Sequence, residues 1–400
     1  MKISLVWSNS RPILPNEVII YSMLDIQSHN RFMQTALRLA RRGFGKTWPN
    51  PTVGCVIVDT SEMHNKVIGL GFTQPSGSDH AECVAIKQAL NRYGKDRLRG
   101  STLYSSLEPC CHQGKTPPCT ELIIKNGIST VVIGCKDPDS RVSGRGINEL
   151  RESGINVIEN VLREESEDLN AGFISRVKLG RPSVTMKVAT SADGKIATYM
   201  DKSKWITSEL ARKRAHLMRS QHDALLVGIG TVLKDDPLLT CRLNGLENSS
   251  PIRVVIDTNL RINHSCNLMR TSGDVPTWIF TVGNKNDKPI AQLQQNGADV
   301  ISVSADERGL VDLNEVLSIL GNRGISRVLS EGGASLNSSL IKSNLVDKIA
   351  WFRSNKLIGS DGKSVFESIG VKDIDDMIDF KLTKRESVGN ETLDRYRRMD

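Results

Sequence analysis

The architecture of the first half of this chain follows from three short segments: His80-Ala81-Glu82, Glu108-Pro109-Cys110-Cys111-His112 and Pro117-Pro118-Cys119. One histidine and two cysteines can supply three ligands to a zinc ion, which leaves the fourth tetrahedral position open for water. The glutamate two residues after the histidine is not needed to hold the metal. We therefore predict a metal centre with the ligands His80, Cys110 and Cys119, and with Glu82 as the catalytic group that moves protons.

A closed structural zinc site is the alternative, because such sites normally have four protein ligands. Cys111 could supply the fourth, although adjacent cysteines rarely both reach one tetrahedral ion. A His-x-Glu followed by a Pro-Cys and a later cysteine is typical of zinc-dependent base deaminases. In these enzymes the metal lowers the pKa of its bound water to about 7. The usual gap between the cysteines is two residues, and here it is eight, so the pattern indicates a variant catalytic site.

The composition of the chain limits its class. It has 400 residues, 38% of them hydrophobic and 24% charged, which predicts a soluble protein of two domains. No apolar run in the sequence is long enough to span a bilayer, and the first 21 residues lack the apolar core of a secretory signal. Eight cysteines are too few for a disulfide framework. We expect a cytoplasmic protein without a membrane partner.

The net charge of +8 could indicate nucleic-acid binding. The basic residues are spread along the chain, however, and an aromatic content of 4% leaves few platforms on which bases could stack. A mildly basic protein that acts on small phosphorylated metabolites has the same composition. We therefore expect a small phosphorylated substrate and no nucleic-acid partner.

Strands that alternate with helices predict a layered α/β domain in the first half. The predicted strands are residues 53–58, 66–72, 102–107 and 131–134, and the predicted helices are 28–42, 80–90, 119–126 and 147–153. Asp79 is expected to cap the second helix. We predict an N-terminal extension at 1–27, a first domain at 28–165, a connecting segment at 166–182 and a second domain at 183–400.

The second half also contains short apolar strands, at residues 184–189, 224–227, 252–256, 277–282 and 327–330, and a helix at 311–320. It has no Gly-x-Gly-x-x-Gly after its first strand, so a Rossmann dinucleotide site has little support. The segment Ser330-Glu331-Gly332-Gly333 predicts a strand end, a glycine pair and a helix start, where a phosphate can bind. An ordinary strand-to-helix turn would have the same sequence features.

Further motifs of the first half resemble those of a known family. Pro49-Asn50-Pro51-Thr52-Val53-Gly54, Gly114-Lys115-Thr116-Pro117-Pro118-Cys119 and Asp137-Pro138 look like the deaminase half of the bifunctional riboflavin-biosynthesis deaminase-reductases. The long loop between the cysteines distinguishes this family from other zinc deaminases. The resemblance implies a cytidine-deaminase-like α/β/α layered domain. It implies contacts with the pyrimidine and its ribose phosphate by Asn50, His112, Lys115 and Asp137. Cys111, Asp139 and Thr73 stand where the family usually has serine, asparagine and histidine.

The second half is similar to the reductase half of the same family, which has a dihydrofolate-reductase-like α/β fold and uses NADPH. The matching segments are residues 188–195, 203–207, 230–237 and 253–257. The resemblance implies an NADPH site lined by Ala189, Trp205, Thr231, Asp235, Thr258, Gly333, Ala334, Ser335, Leu336, Asn337, Ser338 and Ser339. It implies a substrate site formed by Ser203, Arg219, Leu239, Arg242 and Glu331. A guanidinium fork suits the substrate phosphate.

The resemblance implies two successive reactions in a homo-oligomer, a dimer or a tetramer. The first is hydrolytic deamination of 2,5-diamino-6-ribosylamino-4(3H)-pyrimidinone 5′-phosphate, and the second is NADPH-dependent reduction of the ribosyl group to ribityl. Asp235 and Glu331 are the candidates for the proton donor of the second reaction. Two alternatives are a zinc deaminase of nucleosides or RNA bases fused to a binding domain, and a non-catalytic protein stabilised by zinc.

Overall fold

The computed structural model describes residues 15–61, 65–114, 116–283 and 288–399. The chain forms two compact units. The first comprises Met1–Arg42, Val53–Thr73 and Asp79–Asp168, and the second comprises Gly43–Thr52, Gln74–Ser78 and Leu169–Asp400. Two short segments of the first predicted domain therefore group with the second unit. The Thr52 N–H, for example, donates to Asn170 Oδ1 at 3.1 Å. The domain boundaries at 28, 165 and 182 stay predictions.

The first unit is built on a five-stranded sheet with the order β2-β1-β3-β4-β5. Its strands are β1 (Gly54–Asp59), β2 (Lys66–Phe72), β3 (Thr102–Ser105), β4 (Thr130–Ile133) and β5 (Asn156–Ile158). The pairs β1–β2 and β1–β3 are antiparallel, whereas β3–β4 and β4–β5 are parallel. The helices are α1 (Pro15–Ala40), α2 (Ala81–Tyr93), α3 (Lys95–Leu98), α4 (Cys119–Lys125), α5 (Arg145–Glu152) and α6 (Arg163–Leu169).

Two glycines let helices pack closely on this sheet. A Cβ atom on Gly54 would lie 1.9 Å from the Ala36 carbonyl oxygen of α1, and one on Gly71 would lie 2.0 Å from the Ala81 carbonyl oxygen of α2. No larger residue fits at either place. The buried residues of α1, such as Met33 and Ala36, follow the predicted helical spacing. This helix starts at Pro15 rather than at residue 28.

The prediction that Asp79 caps α2 is wrong. The N-cap residue is His80, whose side chain makes no capping hydrogen bond. The Asp79 carboxylate instead accepts hydrogen bonds from Lys87 Nζ at 2.7 Å and from Cys83 Sγ at 3.4 Å. Both partners lie further along the same helix, so Asp79 stabilises the exposed side of α2 instead of capping it.

The second unit is built on a nine-stranded sheet with the order β11-β10-β9-β8-β12-β6-β13-β16-β15 and a two-stranded sheet of β14 and β7. The strands are β6 (Ser183–Thr190), β7 (Lys195–Ala197), β8 (Ala224–Gly228), β9 (Ile252–Ile256), β10 (Thr277–Thr281), β11 (Asp299–Ser302), β12 (Arg327–Ser330), β13 (Lys348–Arg353), β14 (Lys363–Ser364), β15 (Phe380–Val388) and β16 (Glu391–Arg398). The pairs from β11 to β13 are parallel, and β13–β16 and β15–β16 are antiparallel.

The helices of the second unit are α7 (Ala171–Leu179), α8 (Glu209–Ser220), α9 (Ile229–Asp235), α10 (Asn267–Arg270), α11 (Lys288–Gln295), α12 (Leu313–Asn322) and α13 (Ala334–Lys342). Buried aliphatic side chains form two clusters on the central parallel strands, one that includes Leu226 and Val254 and another that includes the neighbouring Leu225 and Val255. The mixed α/β fold expected for both halves is confirmed. Within the described residues, no helix is both long and apolar enough to cross a membrane.

Candidate active sites

Three metal-ligating side chains converge in the first unit. His80 precedes α2, Cys110 lies in the loop after β3, and Cys119 is the first residue of α4. The His80 Nδ1 atom lies 3.4 Å from the Sγ atom of each cysteine, and the three ligand atoms are all within 4.8 Å of one another. Zn–N bonds of about 2.0 Å and Zn–S bonds of about 2.3 Å in a tetrahedral site place N and S about 3.5 Å apart. The cluster therefore fits a zinc ion.

The Glu82 carboxylate lies beside this cluster without belonging to it. Glu82 is in the first turn of α2 and is buried. One carboxylate oxygen accepts a hydrogen bond from Ser105 Oγ at 2.8 Å, and the other lies 3.5 Å from Cys119 Sγ. Burial raises the pKa of the Glu82 carboxyl. The carboxylate is therefore next to the ligands and held in orientation by the end of β3.

A second buried glutamate orders the loops around the ligands. The Glu108 carboxylate accepts hydrogen bonds from the backbone N–H groups of Asp137 at 3.2 Å, Gly144 at 3.0 Å and Ile147 at 3.2 Å. A Cβ atom on Gly146 would lie 2.3 Å from the Pro109 carbonyl oxygen, so only glycine fits there. The sequence analysis did not identify the structural function of Glu108 and Gly146, because it depends on contacts with residues up to 39 positions away.

The predicted pyrimidine and ribose contacts of the first half lie in several loops. Asp137 follows β4, is buried, and has a pKa that burial raises to about 7. His112 is half-buried, and its Nδ1 atom has no hydrogen-bond partner among the described residues. Asn50 is half-buried in a turn in which its N–H donates to the Thr47 carbonyl at 2.9 Å. Lys115 lies outside the described residues.

Cys111 points away from the metal ligands. Its Sγ atom lies 3.7 Å from the Arg141 carbonyl oxygen, and it is not among the described residues whose ligand atoms converge. This geometry supports three protein ligands rather than four, and so a position that stays open for water.

In the second unit, a buried ion pair joins two predicted substrate residues. Arg219 donates to Glu331 through Nε at 2.8 Å and through Nη2 at 2.9 Å, and Lys187 Nζ lies 3.7 Å from the same carboxylate. Burial alone would raise the pKa of Glu331, but the charges of Arg219 and Lys187 lower it to about 2. Glu331 therefore carries no proton at neutral pH, which argues against it as the proton donor. Lys187 was not identified from the sequence.

The predicted NADPH residues meet at one edge of the nine-stranded sheet. The strands β6, β12, β8 and β9 are parallel neighbours, so their carboxyl ends lie side by side. Ala189 is near the end of β6, Thr231 follows β8, and Thr258 follows β9. Asp235 is the exposed last residue of α9. Residues far apart in sequence thus come to a single edge.

The start of α13 supplies the phosphate-binding geometry expected of a dinucleotide site. Gly333 is the N-cap residue and no side chain caps it, so the first N–H groups of the helix are available to an anion. A Cβ atom on Gly332 would lie 2.8 Å from Leu336 Cδ2 and 2.9 Å from Leu336 Cβ, so a larger residue would displace Leu336. Ala334, Ser335 and Ser339 are partly or fully exposed. These features fit the cofactor's phosphates.

Three of the predicted cofactor contacts have side chains that are buried in the unit. Leu336, Asn337 and Ser338 are each at most 8% exposed. Ser338 Oγ accepts the Glu367 N–H at 2.8 Å, and Asn337 Nδ2 lies 3.4 Å from the Val365 carbonyl oxygen. Their side chains therefore hold the segment at 365–367 and leave only the backbone for a ligand.

The remaining predicted contacts of the second half differ in their exposure. Trp205 is 63% exposed, and the Arg212 guanidinium lies 4.1 Å from its ring centroid. Ser203 is half-buried in the same loop. Leu239 is buried, whereas Arg242 is exposed three residues later.

The sequence matches two protein-family models. The cytidine and deoxycytidylate deaminase zinc-binding region matches residues 26–135, and the RibD C-terminal domain matches residues 182–393. The riboflavin biosynthesis protein RibD of Actinobacillus pleuropneumoniae is 40% identical over 363 residues, which are 90% of this chain and 93% of that protein. The chain belongs to the RibD family. The RibD protein of Bacillus amyloliquefaciens is 41% identical over 359 residues, 90% of this chain and 93% of that protein.

A solved structure of a RibD relative has a similar fold to this chain. The diaminohydroxyphosphoribosylaminopyrimidine deaminase/5-amino-6-(5-phosphoribosylamino)uracil reductase of Thermotoga maritima is 38% identical, with a TM-score of 0.81, over 94% of this chain and 100% of that chain. The chain is therefore a bifunctional enzyme of riboflavin biosynthesis, with a zinc-dependent deaminase domain and an NADPH-dependent reductase domain. The predicted family, fold, zinc and NADPH are confirmed, and the two alternative hypotheses lose their support.

Proposed function

We propose that the zinc site deaminates 2,5-diamino-6-ribosylamino-4(3H)-pyrimidinone 5′-phosphate, and that the second unit reduces the ribosyl group of the product, 5-amino-6-(5-phosphoribosylamino)uracil, to ribityl. One observation carries the first reaction. A buried carboxylate, that of Glu82, lies beside three converging metal ligands, and a hydroxyl group orients it. This is the arrangement that hydrolytic removal of a ring amine requires.

In the deaminase reaction, His80, Cys110 and Cys119 hold the metal. A zinc ion bound there supplies a water of lowered pKa. Glu82 takes a proton from the attacking water and delivers protons to the ring nitrogen and to the departing ammonia. The Ser105 hydroxyl donates to the carboxylate and fixes its direction. Contacts with the pyrimidine and its ribose phosphate come from Asn50, His112, Lys115 and Asp137.

In the reductase reaction, NADPH supplies the hydride that reduces C1′ of the ribosyl group. The residues at the carboxyl edge of the parallel strands and at the start of α13 would hold the cofactor. Ser203, Arg219, Leu239, Arg242 and Glu331 face the substrate. Because Glu331 stays ionised, we assign it to holding Arg219 and Lys187 in place.

The test supplies the diamino substrate to the wild type and to Glu82→Gln, with and without NADPH, and follows ammonia release and NADPH oxidation. The wild type should release ammonia without NADPH, and should oxidise NADPH only after deamination. Glu82→Gln should lose about 100- to 10,000-fold in deamination, because it cannot move protons. The same variant should reduce the deaminated intermediate at the wild-type rate. Normal deamination by Glu82→Gln would refute the assignment.

We further propose that the enzyme is cytoplasmic, binds no nucleic acid and assembles as a homodimer or homotetramer. The dispersed basic residues and the low aromatic content support the absence of a nucleic-acid partner. Light scattering of the purified full-length chain tests the assembly, and a single mass of 44.1 kDa would refute it.

A further inference from the structure

We propose that His216 is a positioning residue of the reductase site, and that it holds the turn that presents Leu239 and Arg242 to the substrate. This inference rests on the proposed function, which places Leu239 and Arg242 in contact with the phosphorylated intermediate. His216 belongs to none of the motifs of the sequence. It lies on α8, three residues before Arg219, so the two side chains share one face of the helix.

His216 contacts three consecutive residues of the turn. Its Nδ1 atom lies 3.1 Å from the Thr240 carbonyl oxygen and 3.3 Å from the Arg242 backbone nitrogen. Its own carbonyl oxygen accepts a hydrogen bond from Cys241 Sγ at 3.4 Å. The ring and the backbone of one residue therefore fix the whole segment that leads into Arg242.

The hydrogen-bonding pattern assigns a function to the ring. The Thr240 carbonyl oxygen already accepts a hydrogen bond from Arg219 Nη1 at 3.0 Å. A carbonyl oxygen has two lone pairs and the Arg242 N–H can only donate, so a neutral ring with its proton on Nδ1 donates to Thr240, and one with its proton on Nε2 accepts from Arg242. Burial, together with the charges of Arg219 and Arg242, lowers the pKa of His216 to about 4. The ring is therefore neutral at pH 7, and in either tautomer its Nδ1 atom bonds the backbone of the turn.

The turn needs such support because its backbone is strained. Leu239 has φ 54°, in the left-handed region that a residue with a branched side chain rarely adopts. The preceding carbonyl, that of Leu238, accepts a hydrogen bond from Nη1 of the fully buried Arg253 at 3.2 Å. Arg253 thus holds the entrance of the turn, and His216 holds its exit. Only the exit leads directly to Arg242.

Helix α8 itself is firmly anchored, so it can act as a support. The Ser208 hydroxyl oxygen accepts the Ala211 N–H at 3.3 Å as the N-cap of the helix. The Ser208 N–H and hydroxyl donate to the Glu391 carboxylate at 2.8 and 2.7 Å. His216 therefore joins the turn to a helix that is itself held in place.

The experiment compares His216→Asn with His216→Gln. Asparagine places its amide oxygen and nitrogen at the same number of bonds from the main chain as Nδ1, whereas glutamine places both one bond further away. The KM for the deaminated intermediate, measured with saturating NADPH, should stay within about threefold of the wild type in His216→Asn. It should rise about tenfold in His216→Gln, as the loss of one hydrogen bond predicts. The kcat, the KM for NADPH and the deaminase rate should not change.

A merely structural function would give the opposite order. Glutamine is the better helix former, so stability alone favours His216→Gln over His216→Asn. Lys213→Gln, on the exposed side of the same helix, is the matched control and should have the wild-type KM. Equal KM values in both His216 variants, or a higher one in His216→Asn, would overturn the inference. A wild type that does not oxidise NADPH with the intermediate would instead refute the proposed function.

Discussion

The two active sites contain buried carboxylates in opposite electrostatic states. Burial raises the pKa of Glu82 in the deaminase unit. In the reductase unit the charges of Arg219 and Lys187 outweigh burial and lower the pKa of Glu331 to about 2. A carboxyl group whose pKa is raised takes up and releases a proton more readily than one with a pKa of about 2. Under the proposed function, the glutamate carboxylate moves protons in one site and positions cations in the other.

The two sites also differ in what a single substitution should do. The deaminase site depends on a metal with three ligands, so the loss of one ligand removes the whole centre. The proposed reductase site distributes its contacts among charged pairs and backbone groups. A single substitution there should therefore weaken substrate binding or stability without abolishing it. Three experiments test this contrast, from the largest expected effect to the smallest.

Cys110→Ala and Cys111→Ala should differ in zinc content and in deaminase activity, although the two residues are neighbours. Cys110 Sγ lies 3.4 Å from His80 Nδ1, whereas Cys111 Sγ contacts the Arg141 carbonyl oxygen. We expect Cys110→Ala to lose both zinc and deamination, and Cys111→Ala to keep one zinc ion per chain. Metal analysis of the two purified variants measures this. Zinc that is lost only in Cys111→Ala would show that the ligand assignment is wrong.

Arg219→Lys should weaken the reductase site without abolishing it. Lysine keeps the charge but cannot make the two parallel bonds to Glu331 or the bond to the Thr240 carbonyl. We expect the KM for the deaminated intermediate to rise about 10- to 100-fold. Steady-state kinetics with NADPH measures it, and Arg214→Lys on the same helix is the matched control. An unchanged KM would argue that Arg219 does not face the substrate.

Glu331→Gln should destabilise the reductase unit in a pH-dependent way. The folded-state pKa of Glu331 is about 2, below the ordinary 4.5, so its ionised form stabilises the fold above about pH 4.5. This stabilisation is lost as the pH falls from 4.5 towards 2. The free energy of unfolding should therefore drop by about 2 to 3 kcal/mol at pH 7 in Glu331→Gln, and by much less at pH 3.

Urea unfolding followed by tryptophan fluorescence checks this prediction. Four of the five tryptophans, Trp48, Trp205, Trp278 and Trp351, belong to the second unit. Glu209→Gln is the control, because that side chain is 70% exposed and pairs with Lys213 at the surface. A difference between wild type and Glu331→Gln that is the same at both pH values would contradict the assigned ion pair.

The zinc site could be predicted from the sequence because its chemistry is local. His80 and Glu82 lie at one helix start, and the two cysteines follow a single strand. The cap of that helix was mispredicted, because the Asp79 carboxylate accepts a hydrogen bond from Lys87 Nζ rather than from the N–H groups at the helix start. The hairpin of β15 and β16 was also missed. Most of β15 is exposed, so it has no alternation of apolar and polar residues to read.

The sequence by itself determined the two α/β units, the zinc ligands and the family, and it predicted the catalytic glutamate, because each follows from residues close together in the chain. Only the tertiary structure brought Arg219 to Glu331, which lies 112 positions away, and His216 to the turn at Arg242. It also showed that the side chains of Leu336, Asn337 and Ser338 are buried in the unit. Side-chain direction, burial and charge pairing depend on contacts between distant segments, and local sequence patterns do not record them.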